Sequence, residues 1–434
     1  MVDEAEDAVP RGALSRPTKR LVRWLVVRFI YRLTDIVGKT QQLLRAPPSL
    51  PPAQDAIRRI LVVRVDLLGD LVMTLPALDA LRARWPLARI AVLCTPAAAE
   101  IAARCAAVDA VYAYNPNVVR SPRWWLQPAE YGELLRLVAR LRAERFDLAM
   151  SMHGEFACLL AWASGARHRV GYAQEGYPAL LTLPVPGRRY LQPLGHEVQW
   201  NEHLTAMAGA PSQQTVPRLL RRDDETAWLA TFTGCAAGHG YVVLAPGAHN
   251  GSAKRYLLPS WATVANALAA SHGVRIVLSG TASELPLVRE LAAQLDVPPL
   301  IAAGETNVCR LLALLGNARL LLAGDSGPVH LAAALGTPVV AVFGPTDPRV
   351  YRPYTDRSTI IRAALPCSPC YDSRTTAECR LGYDPPLCMT LVPAARVLAA
   401  ARRWLDGGKD SQDAERRPGT LDHVQDVVLP LAAG

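Results

Sequence analysis

The stretch Ile60-Leu-Val-Val-Arg-Val65, continued by Asp66-Leu-Leu-Gly-Asp70 and Leu71-Val-Met-Thr-Leu-Pro76, decides the fold. Its first six residues are apolar and mostly β-branched apart from Arg64, which reads as a strand of a parallel sheet. Leu71 to Arg84 then reads as a helix, so strand, turn and helix open a βαβ unit. Asp66, Gly69 and Asp70 fall at the carboxyl end of that strand, where sheets of this kind bind their ligands. The turn holds one glycine where a G-x-G-x-x-G dinucleotide loop needs three, which argues against a nicotinamide oxidoreductase. Asp70 can serve as a general base toward an attacking hydroxyl. An aspartate there can equally cap the helix, for about 1 kcal/mol.

Outward from this unit, Arg89 to Leu93 and Leu148 to Met152 repeat the strand pattern, with a helical stretch from Tyr131 to Glu144 between them. A second series has strands at Tyr241 to Ala245, Val274 to Ser279, Leu320 to Ala323 and Val339 to Phe343. Its helices lie near Trp261 to Ser271, Glu284 to Leu295 and Val308 to Leu315. The expected architecture is two doubly wound, Rossmann-like α/β domains, residues 57–212 and 218–405, facing a cleft. A short polar, proline-bearing hinge lies around Ala210 to Arg222, and a last helix, Ala394 to Leu405, precedes a polar tail over 406–434. At 434 residues and 50% apolar, the chain is long enough to bury two such cores.

The formal charge of +9 is concentrated near the start, with nine basic residues from Arg11 to Arg45 against the single acid Asp35. The remainder is closer to neutral and shows no basic face interleaved with aromatics, which speaks against nucleic acid as a partner. Residues 1–18 read as a disordered tail. Over 19–46, the apolar positions Val22, Leu25, Val26, Phe29, Ile30, Leu33, Ile36 and Val37 keep helical spacing with basic residues elsewhere on the wheel. Such a basic amphipathic helix can lie on an anionic membrane surface or dock on the protein itself. Pro47, Pro48, Pro51 and Pro52 then form a stiff linker. No run of eighteen uncharged apolar residues occurs and Met1 to Asp7 is acidic, so neither a spanning helix nor a secretory signal is expected. The expected location of the globular part is the cytoplasm.

Two further segments carry chemistry. Ala245-Pro-Gly-Ala-His-Asn-Gly-Ser-Ala-Lys-Arg255 is a strand running into a glycine-bearing loop that ends in two cations, which suits a diphosphate through Gly247, Lys254 and Arg255. Lys254 can stabilise a departing phosphate, or it can be an ordinary exposed loop lysine. In Ala323-Gly-Asp-Ser-Gly-Pro-Val-His330 a strand ends and a helix begins at Gly327 or Pro328. The free N–H groups after Ser326 and Gly327 form an anion site. Asp325 beside it suits hydroxyl groups or orders the loop, and His330, one turn into the helix, is either a contact or a buried structural residue.

These three segments resemble glycosyltransferase family 9, the lipopolysaccharide heptosyltransferases. The resemblance runs through Val65-Asp-Leu-Leu-Gly-Asp70 with Thr74-Leu-Pro76, Pro246-Gly247 with Lys254-Arg255-Tyr256, and Asp325-Ser-Gly-Pro-Val-His330, and covers about Ile60 to Leu405. Phe343-Gly-Pro-Thr-Asp347 and Phe146 to Gly154, which contains His153, extend it. It implies a GT-B fold and inverting, metal-independent transfer of a heptose from ADP-heptose to a lipopolysaccharide-core lipid, without a cofactor. Asp70 would then be the base, and Lys254 the leaving-group stabiliser. Gly247, Arg255, Asp325, Ser326, Gly327 and His330 would lie on the donor, and Asp66, Gly69 and His153 on the acceptor side. Leu257, in place of a proline, and Ser151, in place of an acid, depart from the family pattern. Glu284 is the candidate for an adenosine-binding acid. Cys367, Cys370, Cys379 and Cys388 are similar to a cysteine-bearing loop of the family; metal ligands, free thiols and loop disulfides all remain open, and no metal is assigned. A family-9-like transferase of another nucleotide-activated sugar, a hydrolysing nucleotide-sugar epimerase and a non-catalytic nucleotide-sugar-binding envelope scaffold are the competing readings.

Overall fold

The computed structural model describes residues 32, 34–40, 56–116, 128–187, 195–223, 225–234, 240–248, 251–371, 378–407 and 424–427. Their strands form two parallel sheets. The first contains β1 (Arg59–Arg64), β2 (Arg89–Cys94), β3 (Ala110–Ala113), β4 (Leu148–Ser151), β5 (His168–Tyr172) and β6 (Leu183–Val185), in the order β3-β2-β1-β4-β5-β6. The second contains β7 (Tyr241–Ala245), β8 (Arg275–Leu278), β9 (Leu300–Ile301), β10 (Leu320–Gly324), β11 (Val339–Val342), β12 (Ser358–Ala363) and β13 (Val424–Val427). Its order is β13-β12-β11-β10-β7-β8-β9, so outward from β7 it repeats the first sheet's arrangement and adds one strand at the far edge.

The central strands are apolar along their length because helices cover both faces. In β1, Ile60 to Arg64 are all buried, with Ile60 aligned between Ile90 and Leu148. Leu71, Leu75, Leu78 and Leu81 pack on one face of that sheet, and Leu137, Leu141 and Leu160 on the other. A similar layer of Trp261, Val264, Leu268, Val397 and Ala401 covers the second sheet.

Two features differ from the expectation. The helix expected over Leu71 to Arg84 is two, Leu68–Val72 and Leu75–Arg84. Pro76 lacks the N–H that would bond back to Val72, so the chain restarts its helix there. The polar tail expected over 406–434 contains β13, which pairs with β12 from Ile360↔Val424 to Ala363↔Val427 and is pinned by Arg362 and Asp426 at 3.0 Å. Only the end of the expected basic helix, residues 32 and 34–40, is described, and it is helical. That end docks on the protein: a Cβ at Gly38 would collide with the carbonyl of Ala179. The remainder of 19–46, the tail 1–18 and the proline linker at 47–52 lie outside the described residues.

The linker between the sheets is stitched to both halves. Leu219 N–H donates to Ala334 and Leu220 N–H to Arg104. His196, at the start of the helix Glu197–Met207, reaches across to the carbonyl of Arg352 at 2.8 Å.

Candidate functional site

In a doubly wound sheet the crevice opens where the strand order reverses. That point lies between β1 and β4 in the first sheet and between β7 and β10 in the second. The segments singled out by sequence leave β1, β7 and β10 at these two points, and His153 follows β4.

On the first side, Leu67 rather than Asp70 occupies the cap position of the short helix Leu68–Val72. Asp70 is its third residue, and its carboxylate accepts from the Leu67 N–H at 3.2 Å. Beneath it lies Arg64, buried at the end of β1. Its Nε donates to Asp66 at 2.8 Å, and its Nη2 lies 3.0 Å from Glu197 and 3.5 Å from Asp70. Burial opposes the charge on Arg64, but Asp66, Asp70 and Glu175 outweigh it and the guanidinium pKa is raised. His153 Nδ1 lies 2.8 Å from Glu175, so Glu175 links His153 to the same cluster.

On the second side, Lys254 ends a short 3₁₀ turn that begins after Gly251 (φ +117°). It is a buried residue: Nζ donates to Asp325 at 2.7 Å and sits 3.9 Å from the ring centre of Tyr371. Gly324 is required for this approach, since a Cβ there would come within 2.8 Å of the Lys254 carbonyl. Arg255 follows, and its Nε is buried without a hydrogen-bond partner among the described residues. Gly247 lies under the Glu284 carboxylate, where a Cβ would collide with it. Glu284 is itself held by Thr281, through N–H and Oγ1 at 2.8 and 2.9 Å. Ser326 precedes the helix Gly327–Ala334, with Pro328 at its second position.

The two sides meet at Gly69 and His330. A Cβ on Gly69 would stand 2.8 Å from His330 Cδ2, and the Gly327 helix packs on the Asp70 helix. His330 is buried; desolvation and Lys254 lower its pKa against the pull of Asp325 and Asp70, favouring the neutral ring. Asp66, Gly69, Asp70 and, through Glu175, His153 are thus gathered on one side. Lys254, Asp325 and His330 face them from the other. Three participants escape sequence reading: Glu197, Glu175 and Tyr371 belong to no motif and reach the site only through the fold.

The cysteine loop adjoins the second side. Cys367, Cys370, Cys379 and Cys388 line one cavity of about 320 Å³ together with Ala253 and Pro345, and all four are free thiols. Among the described residues no three metal-binding side chains form a ligand set. Burial pushes the Cys388 thiol up to about 11 and raises that of Cys370. Ser368 Oγ donates to Gly344 at 2.6 Å and Tyr371 N–H to Pro345 at 2.8 Å, which fixes the loop that places the Tyr371 ring over Lys254.

Two doubly wound sheets with opposed switch points, one side bearing a carboxylate pair and the other a buried cation after a 3₁₀ turn, make the GT-B arrangement. Residues 134–380, just over half of the chain, match the profile of Glycosyltransferase family 9 (heptosyltransferase), and the chain belongs to that family. Lipopolysaccharide heptosyltransferase 2 of Escherichia coli (strain K12) is 26% identical over 319 residues, covering 70% of this chain and 88% of that relative. The solved structure of E. coli ADP-heptose lps heptosyltransferase II is similar at a TM-score of 0.64 and 24% identity, over 80% of this chain and 99% of that one. E. coli heptosyltransferase WaaC with ADP gives 0.58 and 23%, over 74% and 96%. Among the described residues, no helix is long and apolar enough to cross a membrane.

Proposed function

We propose that the protein transfers a heptose from ADP-heptose, with inversion, to a lipopolysaccharide inner-core acceptor at the cytoplasmic face of the inner membrane. The observation that carries this reading is the opposition of Asp70 to the Lys254–Asp325 pair across the seam where Gly69 meets His330. Asp70 takes the proton of the acceptor hydroxyl, and that oxygen attacks the anomeric carbon from the face opposite the diphosphate. The bond from that carbon to the diphosphate oxygen breaks, and the electron pair leaves with ADP. Lys254, released in part from Asp325, offsets the charge that grows on the leaving phosphate. The N–H groups at the start of the Gly327 helix add their dipole to the same anion, with Gly247 and Arg255 beside it. Asp66 and His153 serve the acceptor side. The heptose and ADP assignments draw support from the relatives named above, one an ADP-heptose transferase and one solved with ADP.

The test is nucleotide release by the purified protein over ADP- and UDP-sugars, with and without a Kdo-bearing lipid acceptor. ADP release that needs both ADP-heptose and the acceptor is expected. Release from another nucleotide sugar alone would replace the donor, and release without acceptor would mean hydrolysis. Asp70→Asn is expected to lower kcat by ~10²–10⁴-fold with donor KM nearly unchanged. Lys254→Ala should raise donor KM and lower kcat together, because its charge is used in both ground and transition states.

A further inference from the structure

One nitrogen of Arg64 is divided between two acids with different surroundings. Nη2 lies 3.0 Å from Glu197, whose side chain is only 2% exposed, and 3.5 Å from Asp70, whose side chain is 21% exposed and reaches the seam. Arg64 is fixed from its other nitrogens by Asp66 at 2.8 Å and Asn201 at 3.4 Å, so it cannot swing toward either acid. Glu197 is out of reach of a substrate, and a buried ion pair contributes little net stability after desolvation. Both acids lie against the same Arg64 nitrogen.

We propose that Arg64 and Glu197 are positioning residues for the transfer: Arg64 fixes the Asp70 carboxylate, and Glu197 draws off enough of the Arg64 charge for Asp70 to accept a proton. This rests on Asp70 acting as the base. The charged and titratable groups around Asp70 are Arg64 on β1, Asp66 after it, Glu175 after β5, and Glu197 at the start of its helix. From the second domain His330 faces it, with Asp325 and Lys254 behind. Glu197 is the one that shares a single nitrogen with it.

The experiment is the pH dependence of kcat/KM for the acceptor. In Glu197→Gln, Nη2 falls to Asp70 undivided, and the acid limb is expected to move to lower pH by roughly one unit. Turnover on the plateau should drop by less than the ~10²-fold that losing a base costs. Glu197→Asp keeps the charge and should leave the limb in place. The double variant R64M/E197Q removes both members of the buried Arg64–Glu197 pair and leaves the partly exposed Asp66 without its 2.8 Å partner, and its limb should move above that of the wild type. A wild-type limb in both Glu197→Gln and the double variant overturns the proposal. Should Glu197→Gln not fold, a wild-type limb in the double variant alone does so. Asp70→Asn is run in the same series. If it retains turnover and the limb, the base assignment fails together with this proposal. If it loses both while the Glu197 variants stay unshifted, only this proposal fails.

Discussion

Gly69 is a glycine for steric reasons, because the space a Cβ would occupy belongs to the His330 imidazole. His330 is buried and packed in its own helix, so it has no solvent into which to retreat. Gly69→Ala should therefore cost about 1–3 kcal/mol, the usual range for an overfilled site. It should also lower turnover, by wedging Asp70 away from Lys254. A thermal melt and a kcat measurement check this. An unchanged melting temperature with unchanged kcat would mean that the two sides are not held in contact. Lys254 shows the opposite economy: a buried ammonium between a carboxylate and an aromatic face is already partnered before any phosphate arrives. A ligand that draws it from Asp325 exchanges one ion pair for another rather than desolvating a free charge.

The helix Glu197–Met207 depends on a histidine cap. His196 Nδ1 accepts from Val198 N–H at 3.1 Å while its other nitrogen faces the Arg352 carbonyl, which requires a neutral ring with hydrogen on Nε2. Burial, and then the Arg352 charge, lower its pKa well below 6.5. Above 6.5 the residue is neutral in both folded and unfolded chains, and the stability it supports is fully present. As the pH falls below that value the unfolded chain takes the proton first, and stability declines until the folded pKa is reached. His168 and His330, also lowered, act in the same direction. Urea midpoints should be level above about pH 7 and fall toward pH 5, with a shallower fall in His196→Asn, which keeps a cap acceptor and cannot titrate. Equal slopes would remove His196 from this role.

Elements with a continuous apolar run or a clear helical period were legible from sequence, and the strand at Tyr241 and the helix at Ala394 were found with their full limits. β5, His168-Arg-Val-Gly-Tyr172, was not, because its two basic residues and glycine hide a strand that only tertiary cover makes buried. The same distinction governs the site. Asp70, in the first turn of a short helix, Lys254, at the end of a 3₁₀ turn, and Asp325, before a helix, follow closely on the ends of β1, β7 and β10, a local pattern. Glu197 meets Arg64 across 133 residues of chain, which no spacing rule anticipates.

At the scale of the whole molecule, the two sheets repeat one strand order and present their crevices to each other. In the proposed reaction the substrates approach from separate sides and meet at the seam, while the linker's bonds to both halves limit the separation of the halves. The described end of the basic segment, residues 34–40, packs near the loop that bears Glu175, since Gly38 rests on Ala179. A membrane-lying helix there would present the proposed acceptor side to a lipid. Full-length protein should sediment with vesicles containing anionic lipid, and deletion of residues 1–31 should abolish this, each basic residue near the surface contributing about 1 kcal/mol. Salt should weaken binding to the same vesicles. Binding unaffected by the deletion would place the membrane contact elsewhere.

The shared volume of Gly69 and His330 also has a consequence for descent. A mutation that adds a side chain at the first position can be tolerated only after the second has become smaller, whereas the reverse order carries a steric penalty at once. Substitutions at these two positions should therefore be correlated among diverging copies of the gene, linking the histories of the two halves at a point where the chain itself does not join them.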